Sequence, residues 1–121
     1  YLAWPAVEGE PVGELVRRAG PLPPAHAARS AADLTDGLAH LHAHGLTHGL
    51  LAPGLVLVTP AASARLPAVG MGAVLAAPEP LLDGLTAAAL AAGTLDYVAP
   101  EVRRDLTFFS PAADGYALGG V

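Results

Sequence analysis

Two sets of residues in this chain carry side chains that could do chemistry. The first is a histidine cluster: His40, His42, His44 and His48 lie close together, and His40 and His44 are separated by one helical turn, a spacing that zinc sites use to bring two imidazoles to one face. A metal there needs a third and a fourth ligand, and the chain has no cysteine and no carboxylate beside the cluster. The plainer reading makes His40 and His44 surface residues. The second set is a scatter of acids, Asp83, Asp96 and Glu101, downstream of the tight loop His48-Gly49-Leu50-Leu51-Ala52-Pro53-Gly54-Leu55. An acid can accept a proton or hold a hard cation, and the leucines and alanine of that loop can do neither.

The elements that must position these residues are legible from spacing. Val12, Leu15, Val16 and Ala19 follow helical periodicity after a turn at Glu8-Gly9-Glu10-Pro11, and Gly20 stands at the stop. Pro21-Leu22-Pro23-Pro24 is a rigid connector whose last proline suits the first helical position. From there Ala27, Ala31, Leu34, Leu38 and Leu41 paint one apolar stripe on a long helix ending near His44, with Gly45 as its stop. Arg29 with Asp33, and Asp36 with His40, are expected on its solvent face at i,i+4 spacing. The His48 loop leads into a strand at Leu55–Val58, a turn at Thr59–Ala64 and a second short strand at Arg65–Val69, interrupted by Pro67. Tyr1–Val7 reads as a strand ending at Pro5, Leu85–Ala92 as a weak helix, Gly93–Glu101 as a compact ordered segment, and Asp114–Val121 as the start of an apolar helix.

The chain has 121 residues and reads as one domain or part of one. Hydrophobic residues make up 53% and charged residues 14%, which argues against disorder, although much of the apolar content is alanine and buries little area per residue. The net charge of −5 and the absence of a basic cluster argue against nucleic acid as a partner, because phosphate neutralisation needs grouped cations. No cysteine means no disulfide framework, which fits a reducing compartment. No stretch reaches the roughly 20 apolar residues of a membrane helix, and no basic-then-apolar signal opens the sequence, so a soluble, cytoplasmic segment with no membrane span in this stretch is expected.

With these elements in order, the chain resembles the large lobe of bacterial serine/threonine protein kinases over nearly its whole length. The loop from His48 to Leu55 has the shape of that family's catalytic loop, H-R-D-L-x-x-x-N. The preceding LHAHGLTH is similar to the family's helix E, Ala99-Pro100-Glu101 reproduces its A-P-E triplet, and Asp114 with Tyr116, Leu118 and Gly119 resembles the opening of its helix F. The segment YLAWPAVEGEPVGELVRRAGPLPP looks like the hinge and helix D.

The resemblance implies an α+β fold, mainly α: a partial kinase-like domain over residues 1–121, with the small lobe before Tyr1 and the later helices after Val121. It also implies a degenerate site. Phosphoryl transfer needs an acid for the substrate hydroxyl and an amide and a second acid for magnesium. By position these fall at Leu50, Leu55 and Ala68, and the lysine that follows the base falls at Ala52. His48, Glu101 and Asp114 match positions with structural roles in the family. Trp4 falls at the gatekeeper, Pro5 to Val7 on the adenine-facing hinge, and Val56, Leu57 and Val58 beneath the adenine ring. No cofactor is expected. ATP is the nucleotide a half-encoded pocket could still take, and magnesium would lack a protein carboxylate. The implied function is a catalytically inactive, kinase-like scaffold for protein partners in signalling. The alternatives are an authentic serine/threonine kinase with atypical motifs and a histidine-cluster metal segment.

Overall fold

The computed structural model describes residues 7–67, 69–70, 93–105 and 108–121. Tyr1 to Ala6, Ala68, the proposed helix at Leu85–Ala92 and Asp83 lie outside the described residues. The described part is mainly helical, with a small three-stranded sheet.

Strand β1 (Glu10–Pro11) runs directly into helix α1 (Val12–Ala19). Sequence spacing predicts a turn at Glu8 to Pro11, and the structure corrects this. Pro11 lacks an N–H and sits on the edge of the sheet, where that missing donor costs no ladder bond. Helix α1 carries Glu14 in its first turn and Arg17 and Arg18 in its last, each sign matching the helix dipole. It stops at Gly20, whose φ of 83° suits glycine alone at little strain.

Helix α2 (Pro24–Ala43) begins with proline at its first position, as the connector predicts. At its far end Gly45, at φ 71°, donates to the His42 carbonyl, and Leu46 donates to that of Leu41. This pair of bonds satisfies carbonyls the ending helix would otherwise orphan. Leu34 and Leu38 are buried and Leu41 is half-buried. The N-terminal half of the expected stripe is corrected: Ala27 and Ala31 are exposed, and Ser30 is buried in their place. Its hydroxyl donates to the Ala62 carbonyl at 3.2 Å, while Ala27 and Ala31 line an open cleft with Leu22, Leu34 and Val56.

After a 3₁₀ turn at Pro53–Leu55, strand β2 (Leu57–Val58) pairs antiparallel with β1 and with β3 (Ala64–Arg65). Glu10 stands opposite Val58, and Val58 opposite Ala64. Both strands are shorter than their sequence patterns suggest, because Pro53 starts a helical turn ahead of one and Pro67 follows the other. The outer edge of β3 is closed by a side chain: the Ala64 N–H donates to Asp33 Oδ2 at 2.9 Å. Asp33 is thus turned to the sheet, not to the solvent-facing pair with Arg29 that its spacing predicts. That bond, with help from Ser63, holds its carboxyl below the usual carboxylate range.

Val12, Leu34, Leu38, Leu51, Val56, Val58, Ala64 and Ala117 form the main core between α1, α2 and the sheet. A second cluster, Val98, Ala99, Val102 and Ala113 with Phe109, joins helix α3 (Pro100–Arg104) to helix α4 (Pro111–Gly120). Ser110 caps α4 by accepting from the Ala113 N–H, a contact worth about 1 kcal/mol. None of the described helices is long and apolar enough to cross a membrane.

Candidate functional site

The loop after α2 is held by one carboxylate from α4. Asp114, 2% exposed, accepts from the His48 N–H through Oδ2 and from the Gly49 N–H through Oδ1, both at 2.8 Å. His42, near the end of α2, brings Nε2 to within 2.9 Å of the same Oδ2. An ionised carboxylate only accepts, so His42 donates there. Three donors on one buried carboxylate tie α2, the loop and α4 together across 72 residues of sequence. Each is a charge-assisted bond, stronger than one between neutral partners.

Gly49 takes φ 84°, a left-handed conformation that turns its N–H toward Asp114. His48 is wholly buried. Its Nε2 lies 3.0 Å from the Pro67 carbonyl and its Nδ1 3.4 Å from the Leu50 N–H. The carbonyl needs a donor and the N–H an acceptor, so the neutral tautomer protonated at Nε2 meets both partners. Burial is the main influence on its basicity and lowers it, against smaller opposing effects from the Pro67 carbonyl and Asp114.

Around this clamp the loop is apolar and packed. Leu50 is 6% exposed, Leu51 2% and Ala52 fully buried, while Leu55 is half-buried. Leu50 lies in a seam with Tyr97, Val102, Phe109 and Ala117, where the residual space is about 10 Å³, the room of one water at most. Leu50 therefore fills the interface instead of lining a cavity.

The residues proposed to face a nucleotide separate. Val56 and Val58 point into the main core, and Leu57 between them is half-buried on the other side, near Gly9. Val7 is 39% exposed. Trp4 and Pro5 lie outside the described residues, as does Ala68. A cavity of about 440 Å³ lies between Glu8 to Glu10, Leu15, Leu22 and the β2–β3 turn, with Val58 in its wall.

His40 and His44 are exposed on α2 with ring centroids 4.6 Å apart. Instead of pointing jointly at a cation site, His44 Nδ1 meets the His40 carbonyl at 2.8 Å. Among the described residues no three metal-ligating side chains come together, so the pair lacks a third ligand and the metal reading gains no support. Asp96 and Glu101 are exposed. Arg103 in α3 binds the carbonyls of Leu95 and Val98, tying the 3₁₀ turn Thr94–Tyr97 to the helix. Sequence reasoning passed over His42 as a contact of Asp114. Its place three residues before Gly45 is the only local hint that it would face the returning chain.

No protein-family model matches the chain. Among curated proteins it is similar to the serine/threonine-protein kinase PknA of Mycobacterium tuberculosis, 36% identical over 124 residues, covering 100% of this chain and 27% of that protein. Serine/threonine-protein kinase PknD of the same species is 36% identical over 117 residues, covering 95% of this chain and 16% of the relative. A putative cyclin-dependent kinase F-2 of Oryza sativa subsp. japonica is 33% identical over 122 residues, with 98% and 36% covered. The chain spans about a quarter of the length of the PknA relatives it matches.

Proposed function

We propose that this chain, a segment belonging to the bacterial serine/threonine protein kinase family, is a kinase-shaped module without phosphoryl-transfer chemistry that serves as a scaffold for protein partners. The observation that carries this reading is the state of the loop. At the family's base position stands Leu50, packed into a closed seam, and at the lysine position stands Ala52, fully buried. Neither can take a proton or contact a phosphate. Leu55, at the position of the metal-holding amide, is also apolar and cannot supply an oxygen to magnesium.

What the loop keeps is its mounting. His48, Gly49 and Asp114 hold the backbone through charge-assisted bonds that need no catalytic group, so the surface the module presents stays rigid. A rigid surface binds partners with little ordering cost. The module extends over residues 1–121 as part of a larger kinase-like domain, it uses no resident cofactor, and it works in the cytoplasm. Val7 and Leu57 are the described residues that a nucleotide could still reach.

The test is transfer of radiolabelled phosphate from ATP to a general protein substrate by purified protein. No incorporation above a no-enzyme control is expected. Incorporation that falls when Asp96 or Asp83 is neutralised would establish the second reading, an authentic kinase with atypical motifs. That reading draws on the relatives, which are named as kinases. A thermal-shift titration with ATP, with and without magnesium, separates nucleotide binding from catalysis; no saturable rise is expected.

A further inference from the structure

The scaffold reading uses only the backbone N–H of the histidine at the start of the loop, yet both of its ring nitrogens are engaged in a buried site. We propose that His48 is an acid-sensitive latch: in its neutral form it locks residues 48–51 against α4 and Pro67, and its protonation releases them.

The geometry carries the argument. Nε2–H donates to the Pro67 carbonyl, and Nδ1 faces the Leu50 N–H, which it can accept only while unprotonated. A proton arriving at Nδ1 sets two N–H groups against each other and places a positive charge on a side chain with no solvent exposure. Among the described residues the titratable groups facing it are Asp114 on α4 and His42 on α2, with Tyr97 lining the same seam. Among the described residues, Asp114 is the carboxylate beside the loop that could compensate a charge on His48. Its two oxygens are already shared among the His48 and Gly49 amides and His42, so the imidazolium would have to displace a donor that holds the loop. His42 behaves differently. It donates through Nε2 whether or not its outer nitrogen, on a partly exposed side chain, carries a proton. Acid therefore acts on the clamp through His48 and leaves the His42 bond in place.

The direction with pH follows. Burial lowers the basicity of His48 in the folded chain, so the unfolded or released loop binds the proton more readily. The latch is fully closed above the ordinary histidine value of about 6.5 and weakens as pH falls below it. Release would uncover Leu50 and Leu51, two leucines that are buried when the latch holds. Acidification would thus convert a closed seam into an apolar surface.

The test uses the whole chain. Imidazole nitrogen and carbon shifts followed by NMR from pH 8 to 4.5 should show His48 in its neutral Nε2–H form at the start and gaining its proton only below the ordinary histidine value of about 6.5. Amide exchange of Gly49 and Leu50, corrected for intrinsic rates, should accelerate by about tenfold per unit of pH below the ordinary histidine value. His48→Gln, which retains a donor toward Pro67 and cannot charge, should flatten that dependence. The proposal is overturned if His48 gains its proton at the ordinary histidine value of about 6.5, or if loop protection is the same at pH 7.5 and 5. Should the Gln variant fail to fold, the wild-type NMR titration alone decides. Phosphate transfer is not read in any arm, so failure here leaves the scaffold reading standing.

Discussion

At the seam between the loop and α4, a carboxylate 2% exposed takes three donors. On α1, Arg17 meets Glu14 and Arg18 meets Glu10 of β1, and the two arginine side chains are 74% and 65% exposed. Both regions are built from acids and nitrogen donors at bonding distance, and they differ in how much water each group has given up. Two of the donors at Asp114 are backbone N–H groups, that of His48 buried and that of Gly49 half-buried. On α1 every partner can return to water when its bond breaks. Exposed pairs of that kind contribute little and are screened by salt, whereas an unpartnered buried group carries its full desolvation cost. The lesson is that the loop depends on buried partners, Asp114 and the His48 ring, while the exposed pairs of Glu10 and Glu14 are decoration beside a helix held by Val12 and Leu15.

Perturbing each region in turn sharpens that contrast. Asp114→Ala leaves the buried His48 amide and the half-buried Gly49 amide without their acceptor and should cost about 4 kcal/mol in urea unfolding. A loss below about 1 kcal/mol would mean water replaces the carboxylate and would dissolve the comparison. Leu50→Asp puts a carboxylate into the closed seam and should cost about 3 kcal/mol without restoring phosphate transfer. Transfer activity in that variant would show that the rest of the catalytic geometry survives. Ser30→Ala removes the donor to the Ala62 carbonyl and should cost about 1 kcal/mol, an intermediate case of a buried but neutral bond. Arg18→Ala, at the exposed extreme, should leave the urea midpoint unchanged, and adding salt to the wild type should do the same.

A smaller effect separates acids by their partners. Asp33 has its carboxyl pulled below the usual range, chiefly by the Ala64 N–H, so its contribution is present above the ordinary carboxylate value of about 3.9 and fades as pH falls beneath it. Asp33→Asn should remove that part of the acid limb, as read from unfolding curves between pH 5 and 2.

What could be read from the chain alone was whatever neighbours in sequence decide. The span of α1, the start of α2 at Pro24 and its stop at Gly45 follow from apolar spacing, from proline at a first helical turn and from glycine where φ turns positive. These are local preferences, and each was met within a residue or two. The kinase likeness was equally legible, since it rests on the order of short motifs along the chain, and the relatives match over its full length. Only the folded chain decided the rest. Glu10–Pro11 became a strand because Leu57 and Val58 were there to pair with it, Ser30 entered the core to meet a carbonyl 32 residues away, and His42 met Asp114 across 72. A two-residue strand, a lone serine and a helical histidine carry no periodicity of their own. Their roles come from desolvation, which requires buried donors and acceptors to find partners that the linear order of residues does not name.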